Sequence, residues 1–270
     1  MTKIGIIAGD GNLPLYIAKS LTDKNYDITF LSLNNKNTKI YSNYNVININ
    51  ILSIKKIFKV LDSNKIKHII FAGSIRRPGL KDLGFDMATF LLAKNLLLEK
   101  KGDNNLLISL KKYFENRGYI FFDWTKYCRE LFSTETNLTK NKPSKNAILN
   151  LKKAKSIYQI YKKLDVGQSI IVQNQLVLGL EAIEGTDHLL ERCQKYKRKG
   201  DNGMLFKFSK HKQSNLIDIP LIGLDTIKNL KKYNYEGVYL QKNKCLILDK
   251  KKIIDYANQN NLFISSVDLN

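Results

Sequence analysis

The residues of this chain best suited to chemistry fall into two glycine loops and two acidic segments. Near the start, Ile4, Ile6, Ile7 and Ala8 suit a buried parallel strand. They run straight into Gly9-Asp10-Gly11-Asn12-Leu13-Pro14. Gly9 and Gly11 let the backbone turn sharply and approach a ligand with no Cβ in the way. Pro14 suits the first helical position, and the amides that open a helix form a site for phosphate. A second loop, Gly73-Ser-Ile-Arg-Arg-Pro-Gly79, leaves the apolar stretch His68–Ala72. Gly73, Arg76 and Arg77 would then stand where open α/β sheets bind ligands, although the arginines could equally face solvent. Gly102 and Asp103 could approach a base or ribose, or simply cap a helix. The common dinucleotide fingerprint is not met: Pro14 replaces its third glycine, and the second strand ends in Asn34-Asn35 rather than an acid.

The acidic segments lie in the second half. Glu181-Ala-Ile-Glu-Gly-Thr-Asp187 offers three carboxylates within seven residues. Glu181, Glu184 and Asp187 could surround a hard cation, since Mg²⁺ needs only one or two carboxylates when a phosphate supplies the rest. They could also be solvated acids beside a helix capped by Thr186 or Asp187. Asp218 is different, a single carboxylate inside the apolar run Leu216-Ile-Asp-Ile-Pro-Leu-Ile-Gly223. Burying an unpaired carboxylate costs several kcal/mol, so an acid so placed is a cap, a metal ligand or a catalytic group.

These groups need a scaffold, and the first 130 residues alternate between strands and helices like an α/β domain. Strands are expected at 4–8, 27–33, 46–49, 68–72 and 119–122, with helices at 15–22, 51–61 and, capped by Asp103, 104–116, the last stopped by Gly118. Residues 133–144 are polar, contain a proline and lack apolar periodicity. They are expected to be a linker between a domain spanning 1–132 and another spanning 145–270. The second half opens with a helix over 145–162 whose buried face should hold Ile148, Leu151, Ile157, Ile160 and Tyr161. Strands 168–173 and 176–181 flank Asn174-Gln175, a hairpin signal. Further strands are expected near 204–208, 237–241, 245–249 and 263–267, with helices at 225–232 and 250–260. The expected fold is α/β, a Rossmann-like N-terminal domain with a parallel sheet followed by an α+β domain.

The 270 residues carry a formal net charge of +21. The excess is spread evenly, 21 basic against 11 acidic residues up to position 130 and 24 against 13 beyond it. Lysine supplies 39 of the 45 basic residues, whereas arginine is the residue of bidentate base and phosphate recognition. A nucleic-acid partner is therefore not expected. Lys195, Lys197, Arg198, Lys199, Lys207, Lys210 and Lys212 are more closely spaced. They suggest either a solvated loop or contact with lipid head groups or substrate phosphate. Cys128, Cys193 and Cys245 are too scattered for a zinc site or disulfide framework. No apolar run is long enough to span a membrane, and the chain enters a strand too early for a signal peptide. A cytoplasmic protein is expected.

Several segments occur together in a telling order: Ile7-Ala-Gly-Asp-Gly-Asn-Leu-Pro14, Phe71-Ala-Gly-Ser-Ile-Arg-Arg-Pro78, Lys101-Gly-Asp103, Asp165-Val-Gly-Gln168, Glu184-Gly-Thr-Asp187 and Ile217-Asp-Ile-Pro220. In this order they resemble the LpxI family of UDP-2,3-diacylglucosamine pyrophosphatases, and the likeness covers nearly the whole chain. The resemblance implies hydrolysis of UDP-2,3-diacylglucosamine to UMP and 2,3-diacylglucosamine 1-phosphate (lipid X), a step of lipid A synthesis, with Mg²⁺ or another divalent cation. It implies a Rossmann-like domain, a linker and a distinct C-terminal domain, with the lipid between them. It makes Asp218 the important aspartate, catalytic or metal-ligating, with Glu181, Glu184 and Asp187 as further metal candidates. It assigns substrate contacts to Gly9, Asp10, Gly11, Asn12, Leu13, Pro14, Gly73, Arg76, Gly102, Asp103, Gln168 and Thr186. The acyl chains and positive charge suggest peripheral docking on the inner membrane face, and a homodimer is kept as an expectation. Two departures stand out, Asp10-Gly11 where family members often have Gly-Gly, and the lysine-rich loop at 195–212.

Overall fold

The computed structural model of the protein describes residues 1–33, 39–50, 53–74, 103–162, 164, 166–210, 216 and 219–269. The expected positions Arg76, Arg77, Gly102, Lys212 and Asp218 lie outside the described residues, as does the side chain of Asp103. The chain divides into two compact units. One comprises Met1–Arg129 with Ser214–Ile217, the other Glu130–Gln213 with Asp218–Asn270.

The first unit is built on a five-stranded sheet of order β3-β2-β1-β4-β5, all parallel. Its strands are β1 (Lys3–Ala8), β2 (Asp27–Ser32), β3 (Asn45–Asn48), β4 (His68–Ala72) and β5 (Ile120–Phe121). Its helices are α1 (Leu13–Thr22), α2 (Ile54–Ser63) and α3 (Asp103–Glu115). Five consecutive residues of β1 are buried, as a parallel strand covered on both faces requires. Ile7, Leu31, Ile69 and Phe71 pack with Ile54, Ile57 and Leu61 of α2 and Phe114 of α3. The alternating residues Ile6, Phe30 and Ile70 point to the other face, where the ring of Tyr41 lies flat on Phe30 at 4.0 Å. Helix α1 begins two residues earlier than expected, so Pro14 is inside its first turn and buried. Helix α3 ends at Glu115, and the chain turns away through Gly118 at φ +80°.

The second unit has a mixed sheet of order β12-β10-β8-β6-β7 and a small parallel pair of β9 (Leu221–Ile222) with β11 (Leu246–Ile247). Strands β8 (Met204–Lys207), β10 (Gly237–Gln241) and β12 (Phe263–Val267) run parallel, while β6 (Ser169–Gln173) is antiparallel to both β8 and β7 (Leu176–Leu180). Asn174 and Gln175 join β6 to β7 with φ of 49° and 59°. Two consecutive positive φ values make the primed turn that suits a two-residue hairpin. On one face Ile171, Leu205, Val238 and Ile264 meet α5 (Gly185–Cys193), α6 (Leu224–Lys232) and α7 (Lys250–Gln259). On the other, Ile170, Phe206, Tyr239 and Phe263 meet α4 (Lys145–Tyr161).

The buried stripe of α4 differs from expectation. Ala147, Asn150, Leu151, Ala154, Tyr158 and Tyr161 face the sheet, while Ile148 and Ile160 are exposed. Small alanines allow close approach and tyrosines fill the flanks, so a count of aliphatic residues misplaces the face by about one position.

Residues 133–144 are not a free linker. Ser133 is fully buried, its N–H donating to the Cys245 carbonyl and its hydroxyl to the Gln241 carbonyl. Leu138 N–H donates to the Ile264 carbonyl, and Ile264 N–H donates back to Thr139 Oγ1. Ser266 N–H reaches the Thr136 carbonyl, and Ser144 N–H and hydroxyl both reach the Glu236 carboxylate. The segment is a strap along β12, held mainly by backbone groups, which is why no hydrophobic period marks it.

The loop after α5 is also more ordered in its bonding than a solvated basic stretch. Asp201 accepts from Asn174 N–H, Asn150 Nδ2 and Gly203 N–H. Gln173 Nε2 donates to the Arg198 and Asp201 carbonyls. Lys197 Nζ donates to the carbonyls of Tyr233 and Asn234 beyond the end of α6, over the ring of Tyr235. We expect Asp201→Ala to cost about 2–3 kcal/mol, because three donors lose a charged acceptor. Urea denaturation of the two proteins measures this directly.

Candidate functional site

In the first unit, β1 feeds α1 and β2 on one side and pairs with β4 on the other. The C-terminal ends of β1 and β4 are therefore the topological switch point, where open parallel sheets form a ligand crevice. The two glycine loops meet there. Asp10 N–H donates to the Ser74 carbonyl at 2.8 Å and Ser74 N–H donates to the Asp10 carbonyl at 2.9 Å. A Cβ on Gly9 would lie inside 3.0 Å of the Ser74 carbonyl oxygen, and one on Gly73 inside 3.0 Å of the Asp10 carbonyl oxygen. These two glycines are thus required by the approach of one loop to the other. Gly11 is the residue with room for a ligand: its φ is +93° and nothing lies within 4 Å of a Cβ there. Beyond it, Asn12 caps α1 without a side-chain hydrogen bond. Opening amides of a helix suit an anion, but here Pro14 has no N–H and Leu15 N–H donates to the Asn12 carbonyl at 3.1 Å.

In the second unit, the strand end at Glu181 and the start of α5 hold the polar cluster. Helix α5 starts at Gly185, earlier than expected, so Thr186 lies within it and is not its cap. The Thr186 hydroxyl instead donates to Glu181 Oε1 at 3.0 Å. Glu181 Oε2 accepts from Gln168 N–H at 3.0 Å, and the Glu181 carbonyl accepts from Gly167 N–H and Tyr161 O–H. Burial, more than any neighbour, pushes the Tyr161 hydroxyl up to about 12, so it stays a donor. These bonds bring Gln168, Glu181 and Thr186 together. Lys207, the last residue of β8, joins them from beneath with its ammonium 2.5 Å from Thr186 Oγ1.

The three acids do not converge on one point. Among the described residues no group of three or more acidic, histidine or cysteine side chains is placed to hold a metal ion. Glu184 is occupied by Arg192, whose Nη2 lies 2.6 Å from its Oε1. Burial works against the Glu184 carboxylate, but the hydrogen bonds from Arg192 and backbone amides outweigh it and hold its pKa below the usual value. Glu181 has both oxygens engaged. Asp187 alone among them keeps a buried oxygen, Oδ1, without a hydrogen-bond partner. Of the three acids, Asp187 is therefore the one with an oxygen left for a cation, while both glutamates are already engaged.

Comparison with known proteins decides the family. Residues 3–131 match the LpxI N-terminal domain and residues 134–265 match the LpxI C-terminal domain. The chain belongs to the LpxI family. The UDP-2,3-diacylglucosamine pyrophosphatase LpxI of Caulobacter vibrioides is 28% identical over 275 aligned residues, covering 99% of this chain and 98% of that protein. A solved structure of 4-hydroxyisoleucine dehydrogenase complexed with NADH is 20% identical. The likeness covers 59% of this chain and 68% of that chain, with a TM-score of 0.27.

In this LpxI chain, Lys207 is the residue that reading the sequence missed as a distinct group. It was one of several lysines in a basic stretch, whereas the structure makes it 5% exposed at a strand end. The available signal is the run Met204-Leu-Phe-Lys-Phe208, which puts one charged residue among apolar ones. Cys193 and Cys245 are also buried in this unit. Burial pushes the Cys245 thiol up to about 12, which leaves it a neutral, unreactive group.

Proposed function

We propose that this LpxI-family enzyme hydrolyses the pyrophosphate bond of UDP-2,3-diacylglucosamine with the help of a divalent cation, releasing UMP and 2,3-diacylglucosamine 1-phosphate for lipid A biosynthesis. The observation that carries the reading is the match of both LpxI domains, in order, along the chain. The full-length likeness to the Caulobacter pyrophosphatase supports the same substrate. The switch-point crevice of the first unit supports a nucleotide phosphate as the group held there.

The chain's own residues divide the work. The Gly9–Pro14 loop, open at Gly11, receives the nucleotide part. Gly73, Arg76, Gly102 and Asp103 complete that contact. Gln168 and Thr186 are the candidate substrate contacts of the second unit. Asp218 orients the attacking water or holds the cation, and Asp187 is the other carboxylate suited to that ion. Bound Mg²⁺ would supply polarisation of a phosphoryl oxygen. Water adds across the P–O–P linkage, so one phosphoryl group gains its hydroxyl and the other leaves as a phosphomonoester.

The positive charge suits peripheral docking on anionic lipid at the inner membrane face. Among the described residues no helix is long and apolar enough to cross a membrane.

The test is an assay of purified protein with UDP-2,3-diacylglucosamine and MgCl₂. UMP and 2,3-diacylglucosamine 1-phosphate should appear in equal amounts, stop on addition of EDTA and resume with excess Mg²⁺. No UMP in the complete mixture would overturn the activity. Turnover that ignores EDTA would remove the cation from it.

A further inference from the structure

Lys207 is a buried cation that the mechanism above leaves without a task. Its side chain is 6% exposed. The ammonium donates to Thr186 Oγ1 at 2.5 Å and to Ser169 Oγ at 3.3 Å. The Glu181 carboxylate is 3.9 Å away, close enough for charge pairing but too far for a hydrogen bond. Lysine can only donate and a carboxylate can only accept, and together they settle the direction of the other bonds. Thr186 spends its one proton on Glu181 Oε1. Ser169 must therefore donate to Thr186, 3.2 Å away. Glu181 keeps its second oxygen for Gln168 N–H. One ammonium thus orders the contacts of four segments: the start of β6, the end of β7, the first turn of α5 and the end of β8.

Packing alone does not call for this arrangement. Replacing a buried ion pair by apolar residues of similar volume is often neutral or stabilising. We propose that Lys207 is a positioning residue of the hydrolytic site, holding Thr186 and the Gln168 segment in the geometry that the reaction needs. The inference rests on the pyrophosphatase reading, in which Gln168 and Thr186 touch the substrate. Preorganised groups favour the transition state more than ground-state binding, so loss of Lys207 acts on kcat.

Steady-state kinetics of Lys207→Met and Lys207→Gln test this, each paired with a thermal melt of the same sample. In Lys207→Met, kcat should fall about 100-fold with KM changed by less than about threefold. Lys207→Gln, which can still donate to the two hydroxyls, should recover about tenfold of that loss. A kcat within about threefold of wild type in folded Lys207→Met, or a loss that appears only in KM, would overturn the role. If the methionine protein does not fold, Lys207→Gln decides alone, by whether kcat lies about tenfold below wild type or matches it. Absence of UMP release from the wild-type enzyme would overturn the pyrophosphatase reading itself, and it is seen before any variant is compared.

Discussion

UMP release by Asp218→Ala should fall by at least about a thousandfold, within the range lost when a group that activates water is removed. The melting temperature should stay close to that of the wild-type enzyme. Residues on either side of position 218 have their own anchors. Leu216 packs against the core of the first unit. Pro220 is buried and its carbonyl accepts from Leu246 N–H at 2.8 Å, and Ile222 is fully buried in β9. Removing one carboxylate from such a segment takes away no apolar contact. Turnover within about tenfold of wild type would move the water-activating role to another residue.

Gly9→Ala should produce the largest loss of stability of any single methyl group added to the first unit. The new Cβ would meet the Ser74 carbonyl and force the two glycine loops apart, breaking the paired hydrogen bonds between Asp10 and Ser74. Backbone cannot swing aside as a long side chain can, so melting of this unit should drop by about 5–10 °C. Gly11→Ala is the matched control. Its cost is left-handed backbone alone, about 1–2 kcal/mol, since the space around it is open. Its larger effect should be on the KM for the nucleotide substrate. Equal melting temperatures for Gly9→Ala and wild type would show that the loops tolerate separation.

Much of the frame was legible in the sequence because local chemistry and tertiary structure agree there. The buried run Ile4–Ala8 makes a parallel strand, Asn174-Gln175 makes a primed hairpin turn, and Gly118 ends a helix in the conformation expected of it. Gly9 is legible as a position of close backbone approach, but not in what it approaches. A glycine needed for close approach looks the same whether the neighbour is a phosphate or another loop, and only the Ser74 carbonyl distinguishes them. The strap at 133–144 was read as a linker because backbone bonding leaves no periodic trace. In the second unit the motifs mark Glu181, Thr186 and Gln168 one by one, but not the hydrogen bonds that join them or the pairing of Glu184 with Arg192. Lys207 was hidden by composition, since a lysine-rich chain gives no single lysine prominence.

The strap also bears on where the second unit can be cut. With Asn137 beside Ser265 and Leu138 bonded to Ile264, it covers the flank of β12 that would otherwise offer unpaired donors and acceptors to another molecule. A fragment started at Lys145 would bare that flank and self-associate, whereas one started at Glu130 keeps the cover. Protease nicking between 133 and 144 should be slow for the same reason, although the stretch is polar and reads as accessible.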